Sequence, residues 1–192
     1  MTHPTASSGT PSGVPDARDE LVARIEGLVR LVPDYPSPGI LFRDITPLLA
    51  DGPAFAAVVE AIASSVDGPV DLVAGMEARG FLLAAPVALA LGAGLVPVRK
   101  AGKLPGPTAS ESYALEYGEA TVELHPFTVP EGARVLVIDD VLATGGTAAA
   151  TVALFEHCKA HVVGLSFLVE LDALRGRDRL AGHRVETLLH IA

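Results

Sequence analysis

The densest grouping of residues able to do chemistry is the string Val135-Leu136-Val137-Ile138-Asp139-Asp140-Val141-Leu142-Ala143-Thr144-Gly145-Gly146-Thr147. Four apolar residues predict a buried strand, two adjacent acids end it, and a small Gly-containing turn opens a helix over Thr144 to His157. Gly145 and Gly146 let the backbone approach a ligand closely and take conformations that other residues resist. The helix start behind them offers unpaired N–H groups and the positive dipole end, which suits a phosphate. Thr144 and Thr147 add hydroxyl donors. Asp139 and Asp140 are wrong for phosphate but right for sugar hydroxyls and hydrated Mg²⁺. The string therefore asks for a ligand with a phosphate at one end and a diol beside it, and a ribose 5-phosphate meets both demands. Helix capping by itself accounts for one acid and one glycine, not for the whole string. The two commoner phosphate motifs, Gly-x4-Gly-Lys-Thr and Gly-x-Gly-x-x-Gly, are absent.

Cations stand at other strand ends. Arg79 follows the apolar run Val70 to Ala74, and a planar guanidinium there can grip pyrophosphate bidentately. Lys100 and Lys103 add charge within Lys100 to Ser112, a Gly/Pro/Ser loop long enough to act as a flap. Phe42 can stack on a flat aromatic base and Leu41 can pack against the other side; taken alone, Phe42 fits core packing better. Cys158 reads as a small packed side chain, and the histidines show no metal-ligand spacing.

These residues need a scaffold. Leu21, Ile25, Leu28, Val29 and Val32 recur at helical spacing until Pro33, predicting one helix of about three turns. Pro33 to Gly39, with three prolines, is a shaped loop. A second helix starts near Asp51 with Pro53 in its first turn. Strands are expected at Val70 to Ala74, Leu95 to Arg99, Arg134 to Ile138, Val162 to Val169 and Val185 to Ile191, with a helix at Phe81 to Leu91. Ser112 to Gly118 and Ala120 to His125 are expected to pair as short strands. Strands separated by helices imply an α/β fold, a central, mainly parallel sheet flanked by helices on both faces. In such sheets ligands bind at the carboxyl ends of the strands, where the acid pair and Arg79 fall.

The chain has 192 residues, enough for one domain with a substantial core. Residues 1–17 are rich in Pro, Ser, Thr and Gly and read as a disordered tail; 18–192 read as a single domain. A net charge of −9 argues against a nonspecific nucleic-acid binder, which needs a dense basic surface. Cys158, the one cysteine, cannot form an internal disulfide, and the N-terminus lacks the basic start and apolar run of a signal peptide, so a cytoplasmic location is expected. Gly80 to Val98 carries no charge until Arg99, but Pro86, Gly92 and Gly94 break it. A buried helix, a turn and a buried strand explain it better than a membrane span.

Acidic-acidic-x-x-Ala-Thr-Gly-Gly-Thr after an apolar strand resembles the phosphoribosyl pyrophosphate signature of type I phosphoribosyltransferases. Pro36 to Pro47, Gly75-Met76-Glu77-Ala78-Arg79-Gly80-Phe81, Arg99 to Thr108 and Tyr113-Ala114-Leu115-Glu116-Tyr117-Gly118 resemble the hood, pyrophosphate loop and flap of the adenine-specific members, in their order. The hood spans about 33–48 and the flap about 100–120. The resemblance implies transfer of phosphoribose to adenine, giving AMP and pyrophosphate, with Mg²⁺ as cofactor held mainly through substrate and water, in a homodimer. It implies that Ala143, Thr144, Gly145, Gly146 and Thr147 hold the 5-phosphate while Asp139 and Asp140 face the ribose. It assigns pyrophosphate to Arg79, Arg99, Lys100 and Lys103, with Arg99 reaching a neighbouring subunit's site. It assigns adenine to Leu41, Phe42, Arg43 and Leu171. Glu116 would handle the proton at the N7 edge, and Tyr113 and Tyr117 would close the lid. Two rivals remain at this level: specificity for hypoxanthine, guanine or xanthine, and a regulatory module that senses nucleotides without turnover.

Overall fold

The computed structural model describes residues 16–114 and 118–192. Asp16 caps α1 (Ala17–Leu28), so the expected tail lies outside the described residues except at its last two positions. The periodic run from Leu21 to Val32 does not make one helix. α1 stops at Leu28, and β1 (Arg30–Val32) pairs antiparallel with β2 (Phe42–Asp44), with Val32 opposite Phe42. Apolar spacing misleads here because Val29 and Val32 are β-branched and a distant strand offers their backbone a ladder. The hairpin so formed frames the proline-rich loop.

A short α2 (Thr46–Ala50), not foreseen, leads into α3 (Gly52–Ser64). The Asp51 side chain accepts from Ala54 N at 2.9 Å and Pro53 sits in the first turn of α3, as expected from their types. Then come β3 (Leu72–Met76), α4 (Gly80–Leu91), β4 (Gly94–Lys100), β5 (Ala109–Ala114), β6 (Glu119–Leu124), β7 (Arg134–Leu142), α5 (Gly146–His157), β8 (His161–Leu171) and β9 (Val185–Ile191).

Seven of the strands form one sheet in the order β5-β6-β4-β3-β7-β8-β9. The five from β4 to β9 run parallel, while β5 and β6 form an antiparallel edge hairpin. Side chains on β7 alternate between two cores. Val135 and Val137 pack with Phe155 and Leu154 of α5, while Leu136 and Ile138 pack with Ile25, Val58, Ile62 and Leu83 of α1, α3 and α4. All four are buried, each contributing about 1.5–3 kcal/mol. This double burial is why the strand reads as an unbroken apolar run.

Several boundaries differ from expectation: β5 starts at Ala109, inside the stretch expected as loop, and two differences bear on the site. The acid pair does not end β7, which runs on to Leu142 because β8 runs on beside it: Val141 pairs with Val169 and Leu142 with Glu170. α5 begins at Gly146, not Thr144, because Gly145 adopts a left-handed φ of 76° that an α-helix cannot include. The uncharged stretch from Gly80 resolves into α4, a left-handed Gly92 and β4. No helix among the described residues is long and apolar enough to cross a membrane.

Candidate active site

The carboxyl ends of β3, β7 and β8 point to one edge of the sheet, and the β1–β2 hairpin lies beside them. A cavity of about 350 Å³ opens there, lined by Phe42 and Arg43 from the hairpin, Arg79 after β3, Asp139 and Asp140 on β7, and Leu171 ending β8. Ile40, Leu41, Glu77, Ala78, Val141 and Ala143 complete the lining. A smaller hollow of about 80 Å³ is bounded by Thr144, Gly145, Gly146 and Thr147, and shares Asp139, Val141 and Ala143 with the first. The two spaces therefore adjoin across Asp139, Val141 and Ala143, with Asp140 facing the larger.

Arg79 is the hub of the larger space. Its Nη1 donates to Arg43 O at 2.9 Å, and its Nη2 lies 2.9 Å from Asp140 Oδ2. Its guanidinium carbon stands 4.6 Å above the Phe42 ring, a cation–π arrangement. Tyr35 packs edge-on against that same ring at 5.0 Å. Phe42 is half-buried and so presents its ring to the cavity instead of filling the core.

The acids are poorly satisfied. Asp139 Oδ1 accepts from Asp140 N at 2.9 Å. Asp140 Oδ2 is buried and, although ion-paired with Arg79, receives no aligned hydrogen bond. Burial, followed by the adjacent Asp140 carboxylate, pushes the Asp139 carboxyl well up from its ordinary value. Burial raises Asp140 too, with the Arg79 guanidinium opposing. Gly80 is needed beneath this pair: a Cβ there would fall 2.8 Å from Asp139 Oδ1 and from Ile138 O.

The phosphate turn is closed from two sides by residues that sequence reasoning left aside or read otherwise. The Tyr113 and Thr147 hydroxyls share a hydrogen bond at 2.8 Å, and the Tyr113 ring lies where a Cβ on Gly146 would come within 2.9 Å. Gly176 packs its backbone against Ala143 and Gly145 from the other side. Nothing local in the sequence marks Gly176, since its contact is made across the sheet's edge.

The remaining cations lie apart. Arg99, Lys100 and Lys103 are not in the lining of either space. Arg99 Nε donates to Glu77 Oε2 at 3.2 Å and its Nη1 to Lys103 O at 3.0 Å, so it touches the cavity rim only through Glu77. Burial alone would raise the Glu77 carboxyl; the Lys100 N–H and Arg99 together hold it below its ordinary value. Glu123, buried on β6, accepts from Lys103 N and Leu104 N at 3.0 and 2.9 Å and so anchors the start of the flap. Glu116 and Tyr117 lie outside the described residues. The histidines, unremarkable in sequence, include one that the sheet brings to acids: His190 Nδ1 is 3.0 Å from Asp172 Oδ1 and 3.8 Å from Glu170 Oε2. Glu170 is already taken up by Arg177 and Thr187, which makes this an ion-pair network.

Residues 48–187 match the family model described as the phosphoribosyl transferase domain. The adenine phosphoribosyltransferase of Acidothermus cellulolyticus is 60% identical over 164 residues, 85% of this chain and 93% of that protein. The chain belongs to the adenine phosphoribosyltransferase family. The crystal structure of the adenine phosphoribosyltransferase from Rhodothermus marinus superposes with a TM-score of 0.87 at 46% identity, over 90% of this chain and 99% of that one. The Saccharomyces cerevisiae adenine phosphoribosyltransferase, solved with an imino-altritol bisphosphate and adenine, gives 0.81 at 38% identity, over 88% and 98%. The type I phosphoribosyltransferase fold, expected from the sequence, is thus the fold observed. Within this adenine phosphoribosyltransferase relative, the residues assigned from the motifs divide into three groups. Those assigned to adenine, to ribose and Arg79 meet in the larger cavity, those assigned to phosphate enclose the smaller one, and the other three cations lie outside both linings, with Arg99 paired to Glu77.

Proposed function

We propose that this chain condenses adenine with phosphoribosyl pyrophosphate to give AMP and pyrophosphate. The observation that carries the reading is that two spaces adjoin at Asp139, one lined by Phe42, Asp140 and Leu171 and the other by the Thr144–Thr147 turn. A flat base, a diol and a phosphate are needed in that order by a nucleoside monophosphate, and the chemistry of the linings runs in the same order.

The backbone N–H groups at the start of α5, with Thr144 and Thr147, bind the 5-phosphate. Asp139 and Asp140 accept from the ribose hydroxyls. Phe42 and Leu41 hold adenine by its faces, with Leu171 across from them and backbone groups near Leu41 and Arg43 at its edge. The C1–O bond to pyrophosphate breaks and its electron pair leaves with pyrophosphate, whose charge Arg79, Lys100 and Lys103 stabilise. Adenine N9 attacks from the opposite face, inverting the anomeric centre, and Glu116 receives the proton the base must lose. Positioning and electrostatics supply the rate, without a covalent enzyme intermediate.

The donor set suits Mg²⁺. Asp140 Oδ2 is a buried oxygen lacking an aligned donor, and hard carboxylate oxygens beside ribose hydroxyls are what a hydrated Mg²⁺ takes. When bound through water and substrate, it would neutralise pyrophosphate charge beside Asp139 and Asp140.

A second copy of the chain fits an uncovered face. Leu95, Pro97 and Arg99 alternate along β4 on one side of the sheet, with Leu95 and Pro97 exposed, and α4 leaves Leu82 and Leu89 exposed. A homodimer closing this face would carry Arg99 to its neighbour's pyrophosphate. Light scattering should give twice the chain mass, and Leu95→Asp should shift it toward one. A cytoplasmic location accords with one unpaired cysteine and with cytoplasmic nucleotide substrates.

The deciding experiment incubates the protein with adenine, phosphoribosyl pyrophosphate and Mg²⁺, with hypoxanthine, guanine and xanthine in parallel. AMP formation from adenine alone is expected. No product from adenine overturns the reading, and faster turnover of another purine reassigns the base.

A further inference from the structure

The phosphate turn rests on a segment that no motif marks. After β8 the chain makes a turn in which Arg175 takes a left-handed φ of 51°, uncommon for a residue with a side chain. Gly176 follows and is buried. Its backbone lies so close to the turn that a Cβ on Gly176 would collide with Ala143 O and reach 3.0 Å from Gly145 N. A Cβ on Gly145 would in turn collide with Gly176 O. Two glycines from different parts of the chain are thus pressed backbone to backbone, and the position of one limits the conformation of the other.

Next in sequence, Arg177 is tied down at four points. Its Nη2 donates to Glu170 Oε2 at 2.6 Å and its Nε to Glu170 Oε1 at 3.1 Å, a two-pronged pair with a carboxylate that is 4% exposed. Its Nη1 donates to Val185 O at 2.7 Å, and Nη2 also reaches Thr187 Oγ1 at 3.2 Å. Thr187 donates to Glu170 Oε2 at 2.9 Å, which completes the acceptor's shell. The fork therefore ties the residue next to Gly176 to the paired strands β8 and β9. Glu170 also precedes Leu171 of the larger cavity.

We infer that Arg177 is a positioning residue: anchored on buried Glu170, it holds the Gly176 backbone against Ala143 and Gly145 and so sets the shape of the phosphate-binding turn. The inference rests on the assignment of that turn to the 5-phosphate. A ligand-binding turn needs its N–H groups held within a fraction of an ångström, and support from a second layer is what supplies that precision. Unlike Asp139 or Thr147, Arg177 touches neither space, so its contribution appears as affinity for the phosphate end of the substrate and leaves adenine alone.

The test compares wild type with Arg177→Met, Arg177→Lys and the double variant Glu170→Gln/Arg177→Met. Each is measured for KM toward phosphoribosyl pyrophosphate, KM toward adenine, binding of ribose 5-phosphate by calorimetry, and thermal unfolding. Arg177→Met should raise KM for phosphoribosyl pyrophosphate and Kd for ribose 5-phosphate by about tenfold to a hundredfold, with KM for adenine changed less than about twofold. Arg177→Lys, which keeps charge but not the fork, should fall between. The double variant removes the orphaned buried charge, so its unfolding temperature should return toward wild type while its phosphate affinity stays weak. If phosphate affinity returns along with stability, or if both KM values move together, Arg177 is a general stabiliser and the inference is overturned. If wild type forms AMP but all variants bind ribose 5-phosphate as it does, the inference alone fails. If wild type neither forms AMP nor binds ribose 5-phosphate, the proposed function fails first.

Discussion

Two neighbouring parallel strands carry carboxylates near their carboxyl ends at the same edge of the sheet, and the two surroundings are built in opposite ways. On β7, Asp139 and Asp140 crowd each other, Asp140 is ion-paired with Arg79 without an aligned hydrogen bond, and both carboxyls are pushed up chiefly by burial. On β8, opposite Leu142, Glu170 is surrounded by Arg177 and Thr187, and hydrogen bonding from Arg177 above all holds it below its ordinary value. A satisfied buried acid stabilises a structure; an unsatisfied one costs stability and is kept for what it can bind. The contrast separates a site facing ligand from the frame behind it, although the residue types are nearly the same.

The sharpest way to break this contrast is to neutralise the ligand-facing end. Asp140→Asn should lower kcat/KM by about 10²- to 10³-fold, roughly 2.7–4 kcal/mol of transition-state stabilisation. Circular dichroism should stay unchanged. Full activity in a well-folded variant would remove the diol assignment. Arg177→Met attacks the framing end instead. Orphaning buried Glu170 should cost stability near the lower end of about 3–5 kcal/mol, since solvent already reaches part of Arg177. The sign with pH follows from the direction of the shift. Glu170 is depressed in the folded state, so its contribution is full above its unfolded value and is lost as pH falls through its folded one. Denaturant unfolding of Arg177→Met and wild type should therefore converge on acidification, and a gap independent of pH would argue against the pairing.

Asp139 should behave in the reverse sense. Its folded value is raised, so the group costs stability above its unfolded value and the cost fades as pH falls toward that value. Asp139→Asn should lose activity yet unfold at a higher temperature than wild type at pH 7, with the difference narrowing in acid. A lower unfolding temperature at pH 7 would mean that Asp139 belongs to the frame. The smallest effect is expected from Tyr113→Phe, which removes one hydroxyl contact to Thr147 worth about 0.5–1.5 kcal/mol. It should weaken phosphoribosyl pyrophosphate binding less than tenfold, and an unchanged KM would detach the flap from the phosphate turn.

The same contrast divides what was legible in the residues from what was not. The β7 string offered a reading because its chemistry is contiguous: apolar run, acids, threonines and glycines follow one another, and they line two adjoining hollows. Glu170, Gly176 and Arg177 are close in sequence too, but an acid, a glycine and an arginine after a strand describe countless loops. Their meaning lies in Val185 and Thr187 on the next strand and in Gly145 across the edge. The hairpin of Arg30–Val32 with Phe42–Asp44 was obscured for a related reason, since helical spacing in the apolar residues said nothing of a strand partner beyond the prolines.

By itself the sequence determined the α/β architecture, the alternation of the main sheet strands with helices from β3 onward, the glycine-rich turn after β7 and the family likeness, because each is written in local periodicity or a contiguous motif. Only the tertiary structure decided that β7 continues through its acids, that Arg79 lies between Phe42 and Asp140, that Arg99 is held by Glu77, and which buried acid is satisfied and which is left wanting. Those are properties of distance and solvation between residues far apart in the chain. Burial and partnership set the charge state of a carboxylate, and neither exists until the sheet is assembled.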